Sequence, residues 1–291
     1  MKYAFYPGCT LQSELFGCEL SIRETLPRLG VELVDLDGAS CCGYQTYNVS
    51  SPLVYKYLVA RNLALAERLG LDIMTPCNGC HLAFVEVKRD LEKDPKIMSS
   101  INEALSKEGL QYDGKARAHH LLEVLHDEVT AEGISKKIKK PIPKVRLSSH
   151  LGCLGFRPNN LDRPDTGDIS KLDDLIHALG AVTLDYNGKL ECCGYIASLG
   201  NEEAAQTIAN KKLQSVKALD PEGLVVICPL CFKMFDKTQG ESKRTAEGEA
   251  INLPIIYYTQ LLGLSMGLPS EKLGINFNQS NVEPFLSLFK G

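Results

Sequence analysis

Two stretches of this chain, DGASCCGY (37–44) and KLECCGY (189–195), place paired cysteines before Gly-Tyr, and each lies inside a longer repeat. Cys9 is separated by 31 residues from Cys41-Cys42, and 34 more lead to Cys77-x-x-Cys80. The order then recurs: 38 residues separate Cys153 from Cys192-Cys193, and again 34 lead to Cys228-x-x-Cys231. The flanks agree as well, YPGC (6–9) with HLGC (150–153) and TPCNGC (75–80) with VICPLC (226–231). Matching order, spacing and flanks mean an internal duplication. Two domains are expected, 1–141 and 142–291, joined near KKPIPK (139–144). The extra length of the second copy falls on FRPNNLDRPDTGD (156–168).

The local pattern places the cysteines. KYAFY, VELVDL and LDIMTP read as strands in the first copy, and KVRLSS, AVTLDY and GLVVIC are their counterparts. Residues 52–70 and 201–219 have helical spacing of apolar residues, and Gly70 stands where a stop is expected. Alternating strands and helices imply an α/β fold, two similar domains with mostly parallel sheets related by a pseudo-twofold. Ligands of such sheets sit beyond the carboxyl ends of the strands, where these cysteines fall.

Composition narrows the chemistry. A net charge of -4 gives no reason to expect nucleic acid, and the basic run 136–140 reads as a solvated linker. No apolar run reaches membrane-spanning length, and the N-terminus lacks a signal peptide's apolar core, so a cytoplasmic protein with no direct membrane span is expected. Eleven cysteines in such a compartment argue for metal or redox chemistry rather than disulfide staples.

Successive residues of a strand face opposite ways, so Cys41 and Cys42 need a bend before both can face one ligand. Gly43 and Gly194 tolerate the positive φ that supplies it. The C-x-x-C pairs precede helices, whose N-termini favour thiolate, the metal-binding form. A Cys₄ zinc site leaves one thiol of each set unused, and dithiol exchange needs only the C-x-x-C. Iron–sulfur clusters ordinarily take four thiolates, so a fifth points to an unusual cluster or a bridging thiolate. Cys18 stands outside the repeat and reads as a buried, inert thiol.

This motif closely resembles the cysteine-rich CCG domain family, and two complete copies resemble the heterodisulfide reductase B subunits of methanogens. The resemblance implies two [4Fe-4S] clusters of noncubane type. Cys9, Cys41, Cys42, Cys77 and Cys80 would hold one; Cys153, Cys192, Cys193, Cys228 and Cys231 would hold the other. It also implies reduction of the coenzyme M–coenzyme B heterodisulfide, a small-molecule disulfide, to two thiols in methanogenesis, inside a complex of several subunits. The partners would be the ferredoxin-like and flavin-bearing subunits of that enzyme, with an upstream hydrogenase or formate dehydrogenase. Disulfide reduction takes two electrons, and two clusters facing a shared cavity would supply one each. CCG domains in glycolate-, lactate- and glycerol-3-phosphate-oxidising systems offer the alternative, an electron-transfer subunit of a flavin-linked oxidoreductase or a thiol- or quinone-linked relative. The chain has no ferredoxin-type cysteine run, dinucleotide fingerprint or P-loop, so its electrons must come from a partner.

Beyond the cysteines, His150 and Lys212 are the candidates for proton or anion chemistry. Lys211 lies beside Lys212, and at least one of the two is expected to be merely solvated; Arg157 and Arg163 in the insertion are further cations, for an anionic substrate or equally for a partner contact. His81 is placed to support the thiolates of the first set or simply to fill a helix's first turn, and His119 and His120 read as structural.

Overall fold

The computed structural model describes residues 1–142, 144–155, 169–242 and 251–289. Arg157, Arg163 and the rest of the insertion at 156–168 lie outside the described residues. The first sheet is built from β1 (Lys2–Phe5), β2 (Glu32–Asp35), β3 (Ile73–Thr75) and β4 (Ala118–His120) in the order β2-β1-β3-β4. The second is built from β5 (Arg146–His150), β6 (Val182–Thr183), β7 (Gly223–Val226) and β8 (Ile255–Tyr257) in the order β6-β5-β7-β8. All six strand pairings are parallel. The two copies therefore share one topology, an α/β fold written twice. β3, β7 and β8 are buried along their whole length, as strands covered on both faces by helices must be.

The helices that position the site are α1 (Phe16–Thr25), α2 (Pro52–Leu69), α3 (Asn78–Lys93), α4 (Lys171–His177), α5 (Glu202–Lys217), α6 (Pro229–Ser242) and α7 (Tyr258–Ser265). α2 and α5 match the helical spacing read at 52–70 and 201–219, and α2 stops at Gly70. AHHLLEVL and IIYYTQLLGL each split into a three-residue strand and a helix. The turn between them is the same in both copies: Glu123 accepts the His120 N–H at 2.7 Å, and Gln260 accepts the Tyr257 N–H at 3.0 Å. So short a strand running into an apolar helix leaves no period-2 signal to read.

The halves pack reciprocally. α1 of the first lies on α7 and on residues 270–277 of the second, where Ser21 and Thr259 share a 2.6 Å hydrogen bond. α4 of the second lies on residues 124–135 of the first, where buried Lys171 pairs with Asp127 at 2.6 Å. A helix between the first two strands of each copy thus docks under the other copy's closing segment, the arrangement a pseudo-twofold produces. The linker run is anchored at its end, Lys139 and Lys140 both donating backbone N–H groups to Ser265 O at 2.9 Å.

Candidate metal centre

The strand order reverses direction between β1 and β3, and again between β5 and β7, which opens a crevice at the carboxyl ends of the sheet. Cys9 follows β1 in the short helix Gly8–Ser13, the vicinal pair follows β2, and the C-x-x-C follows β3, so three strand ends bring all five thiols of the first set around one cavity of about 110 Å³. The second set surrounds a tighter space of about 20 Å³. Leu230 lines both cavities, which are separate rather than one shared chamber. All the cysteines are free thiols.

Within the first set, Cys9 and Cys41 Sγ lie 3.8 Å apart, and Cys42 and Cys80 Sγ 3.6 Å apart. Two thiolates on one tetrahedral metal with bonds of about 2.3 Å stand about 3.8 Å apart. Each pair is therefore close enough that one metal ion would be held by both thiolates, and Cys77 adds a fifth thiol to the same cavity. Among the described residues no three His, Cys, Asp or Glu side chains are set to hold a single ion. Five thiols line the cavity, one more than a four-coordinate zinc takes, and a multi-iron group would use all of them.

The bend after the vicinal pairs is the one their glycines allow. Gly43 has φ +75° and Gly194 φ +95°, and each donates its N–H to the Sγ two residues earlier, Cys41 and Cys192, at 3.4 Å. Cys77 caps α3 with extended backbone, which places Cys80 in the first turn, where the helix dipole favours negative sulfur. The two sets approach each other at their inner edges, where Cys77 and Cys228 shift each other's pKa in opposite directions, Cys77 up and Cys228 down.

Hydrogen bonds between the thiols decide which of them ionise. Cys153 and Cys193 donate to Cys192 and push its pKa down to about 2. Contacts with Cys231 and Cys77 hold Cys228 well below the ordinary thiol value, and contacts with Cys41 and Cys80 hold Cys42 there. The donors are pushed up in turn, Cys193 to about 12 through its bond to Cys192. A metal group must displace every remaining proton, so loading each set releases protons to solvent.

The other candidates separate by burial. His150 is fully buried, its Nδ1 is 3.2 Å from Tyr186 Oη, and its Nε2 has no hydrogen-bond partner. Burial and the nearby Lys212 push its pKa down to about 3, so it is neutral. Lys212 is also buried: its Nζ donates to Gly188 O and lies over the Tyr186 ring, and burial lowers its pKa. Lys211 beside it is exposed. His81 ties α3 to β4 through Ala118 O at 3.2 Å, with Glu123 3.4 Å away. His119 pairs with Asp72 at 3.3 Å, and His120 caps the helix after β4; both are structural. Cys18 is buried in α1, away from both cavities.

Sequence reasoning missed two residues. Arg23 lines a groove of about 390 Å³ that reaches Cys9 and Cys41, while pairing with Glu19 and Asp35. Asn78, inside the first C-x-x-C, reaches into the second half: its Nδ2 donates to Leu151 O at 2.9 Å, and it lines the second cavity. The only signal for Asn78 was the mismatch between CNGC and CPLC.

The model of the family described as a cysteine-rich domain, CCG, matches residues 3–85 and 147–236, one copy around each thiol set. The chain belongs to the CCG cysteine-rich domain family. Among curated CCG relatives, the 8-methylmenaquinol:fumarate reductase membrane anchor subunit of Wolinella succinogenes is 31% identical over 95% of this chain and 96% of its own. The B subunit of the ferredoxin/F420H2-dependent CoB-CoM heterodisulfide reductase of Methanosarcina acetivorans is 30% identical over 99% of this chain and 97% of its own. A protein of Archaeoglobus profundus described as like the heterodisulfide reductase B subunit is 31% identical over 94% of this chain and 93% of its own. The crystal structure of a hypothetical protein from Helicobacter pylori shares the fold, with a TM-score of 0.77 at 16% identity. It covers 96% of this chain, which spans 51% of that one. Among the described residues no helix is long and apolar enough to cross a membrane.

Proposed function

We propose that this CCG chain is the iron–sulfur subunit where a larger oxidoreductase complex reduces a disulfide, with two noncubane [4Fe-4S] clusters held by the ten repeat cysteines. The observation that carries this is the convergence of each five-thiol set on one cavity, the two cavities being neighbours that share Leu230 in their walls. When bound, such clusters exchange electrons one at a time. One disulfide, two electrons and two protons give two thiols, so two neighbouring sites match the demand of one turnover.

The chain's own residues have defined parts. The thiolates hold the iron, and the Gly43 and Gly194 N–H groups steady Cys41 and Cys192. Cys9 and Cys41 are the exposed members of the first set. The groove leading to them, with Arg23 as its cation, is the proposed approach for an anionic disulfide. His150 and Lys212 act from behind the second set, without touching substrate. The CoB–CoM heterodisulfide named for the Methanosarcina relative is the proposed substrate. The ferredoxin-like and flavin-bearing subunits of a heterodisulfide reductase, fed by a hydrogenase or formate dehydrogenase, are the proposed route by which electrons reach the chain in the cytoplasm.

The Wolinella relative favours a second reading, a quinol-linked electron-transfer subunit. Anaerobically reconstituted protein separates the two. It is expected to carry roughly eight irons per chain, as two four-iron clusters require, and to reduce the heterodisulfide with reduced viologen dye. Iron-loaded protein that leaves the disulfide intact but takes electrons from a menaquinol analogue would overturn the reductase reading in favour of the second.

A further inference from the structure

The two sites share a frame of N–H···S hydrogen bonds. Gly43 serves Cys41 as Gly194 serves Cys192, Tyr44 serves Cys42 as Tyr195 serves Cys193, and Cys80 serves Cys77 as Cys231 serves Cys228. Two contacts have no counterpart: Thr10 Oγ1 lies 3.9 Å from Cys9 Sγ where the second copy has Leu154, and Asn78 of the first half lines the second cavity, where its backbone N–H acts to lower the pKa of Cys228. Pro229 occupies the matching position of the second copy, and proline has no N–H to return to Cys77.

A second difference lies behind the vicinal pairs. Asn62 and Lys212 occupy the same place, the eleventh residue of α2 and of α5. Both are buried, and both tie down the loop that precedes the paired cysteines. Asn62 does so as a neutral amide, accepting from Ser40 N–H and donating to Ser40 O, both at 2.9 Å. Lys212 does so through Gly188 O, over the Tyr186 ring, and lies near enough to Cys231, Cys193 and Cys192 for their charges to act on it.

An electron added to a cluster makes it more negative, so a neighbouring cation and an extra N–H donor stabilise the reduced form. Several terms oppose this: Glu191, though exposed and screened by water; hydration of the exposed Cys9 and Cys41; the Thr10 contact to Cys9; and Arg23 in the groove beside them, its charge already paired with Glu19 and Asp35. Lys212 acts from the interior, where screening is weakest. We propose that the second site is reduced before the first, and that Lys212 and the Asn78 N–H set this order. Electrons entering the chain would then settle first on the cluster that Cys153, Cys192, Cys193, Cys228 and Cys231 would hold.

This rests on the cluster reading above, and the experiment separates the two. The full chain is reconstituted anaerobically, its iron is counted, and its midpoint potentials are followed by EPR. Lys212→Gln is expected to lower the higher potential and leave the lower one in place, and Lys212→Arg to restore it. Asn62→Lys is expected to raise the lower potential and narrow the gap. Asn78→Pro is expected to lower the higher potential as well. The backbone allows that change, because Cys77 is extended (φ -98°, ψ 119°) and position 78 opens a helix, as Pro229 does. If Lys212→Gln at full iron content shifts the lower potential or neither, the proposal fails. If Lys212→Gln loses iron, Asn62→Lys decides in the same way, an unmoved lower potential overturning it. Wild-type protein without iron sinks the cluster reading itself, and this proposal with it.

Discussion

Gly152→Ala tests how tightly the two halves are locked around the second thiol set. Gly152 sits at φ +86°, and an added Cβ would lie 2.6 Å from Asn78 Nδ2, 3.2 Å from Cys228 Cβ and 3.4 Å from Cys231 Sγ. The left-handed backbone costs a side chain about 1–2 kcal/mol. Pushing Asn78 aside breaks its bond to Leu151 O, about 1 kcal/mol, and overpacking beside Cys228 adds about 1–3 kcal/mol. These sum to about 3–6 kcal/mol. Its counterpart Gly8, at φ +75°, meets only Cys80 Sγ at 3.1 Å and the edge of Tyr6 at 4.0 Å. Gly8→Ala should therefore cost about 2 kcal/mol, mostly backbone strain. Urea unfolding of the two variants beside wild type measures the costs, and iron content after reconstitution reads the sites. Gly152→Ala is expected to be the less stable and to lose the second site's share of iron. If both variants fall within about 0.5 kcal/mol of wild type, the range of an innocuous surface change, the close contact between Gly152 and Asn78 does not govern this interface.

Other outcomes follow from the packing. Gly17→Ala would place a Cβ 2.3 Å from Gly274 O, across the contact of α1 with the second half, and should destabilise by about 3 kcal/mol or more in thermal unfolding; unchanged stability would mean α1 is free to move. Cys18→Ala should cost about 1 kcal/mol and leave iron content intact, since the thiol is buried away from both cavities; a fall in iron would place it in the site. His120 is buried, and its pKa is lowered to about 4. Its folded value lies below the unfolded one, about 6.5, so the unfolded chain takes up the proton first. Stability should therefore fall as pH drops from about 6.5 to about 4, by at most about 3 kcal/mol. His120→Asn, which keeps a capping side chain, should flatten that slope in urea titrations; an unchanged slope would assign the loss to other groups.

Much of the site was legible because its signal is one-dimensional. Thiols at fixed chain separations, each beyond an apolar run, specify a repeat and locate every donor at a strand's end. The positive φ at Gly43 and Gly194 could be read too, since two adjacent thiols cannot face one ligand from a straight strand. β4 and β8 could not, because three residues leading into a helix have no period of their own.

The amino-acid order alone determined the duplication, the parallel α/β class and the ten repeat thiols, since each depends on residues close in the chain or on regular spacing. Tertiary packing decided the rest. It set Cys77 near Cys228, carried Asn78 across to the other half's thiolate, and buried Lys212 behind one site where Asn62 stands behind the other. Those contacts join residues far apart in the chain, and they form only when two nearly identical folds are docked, so their inequality is invisible until both copies share one interface.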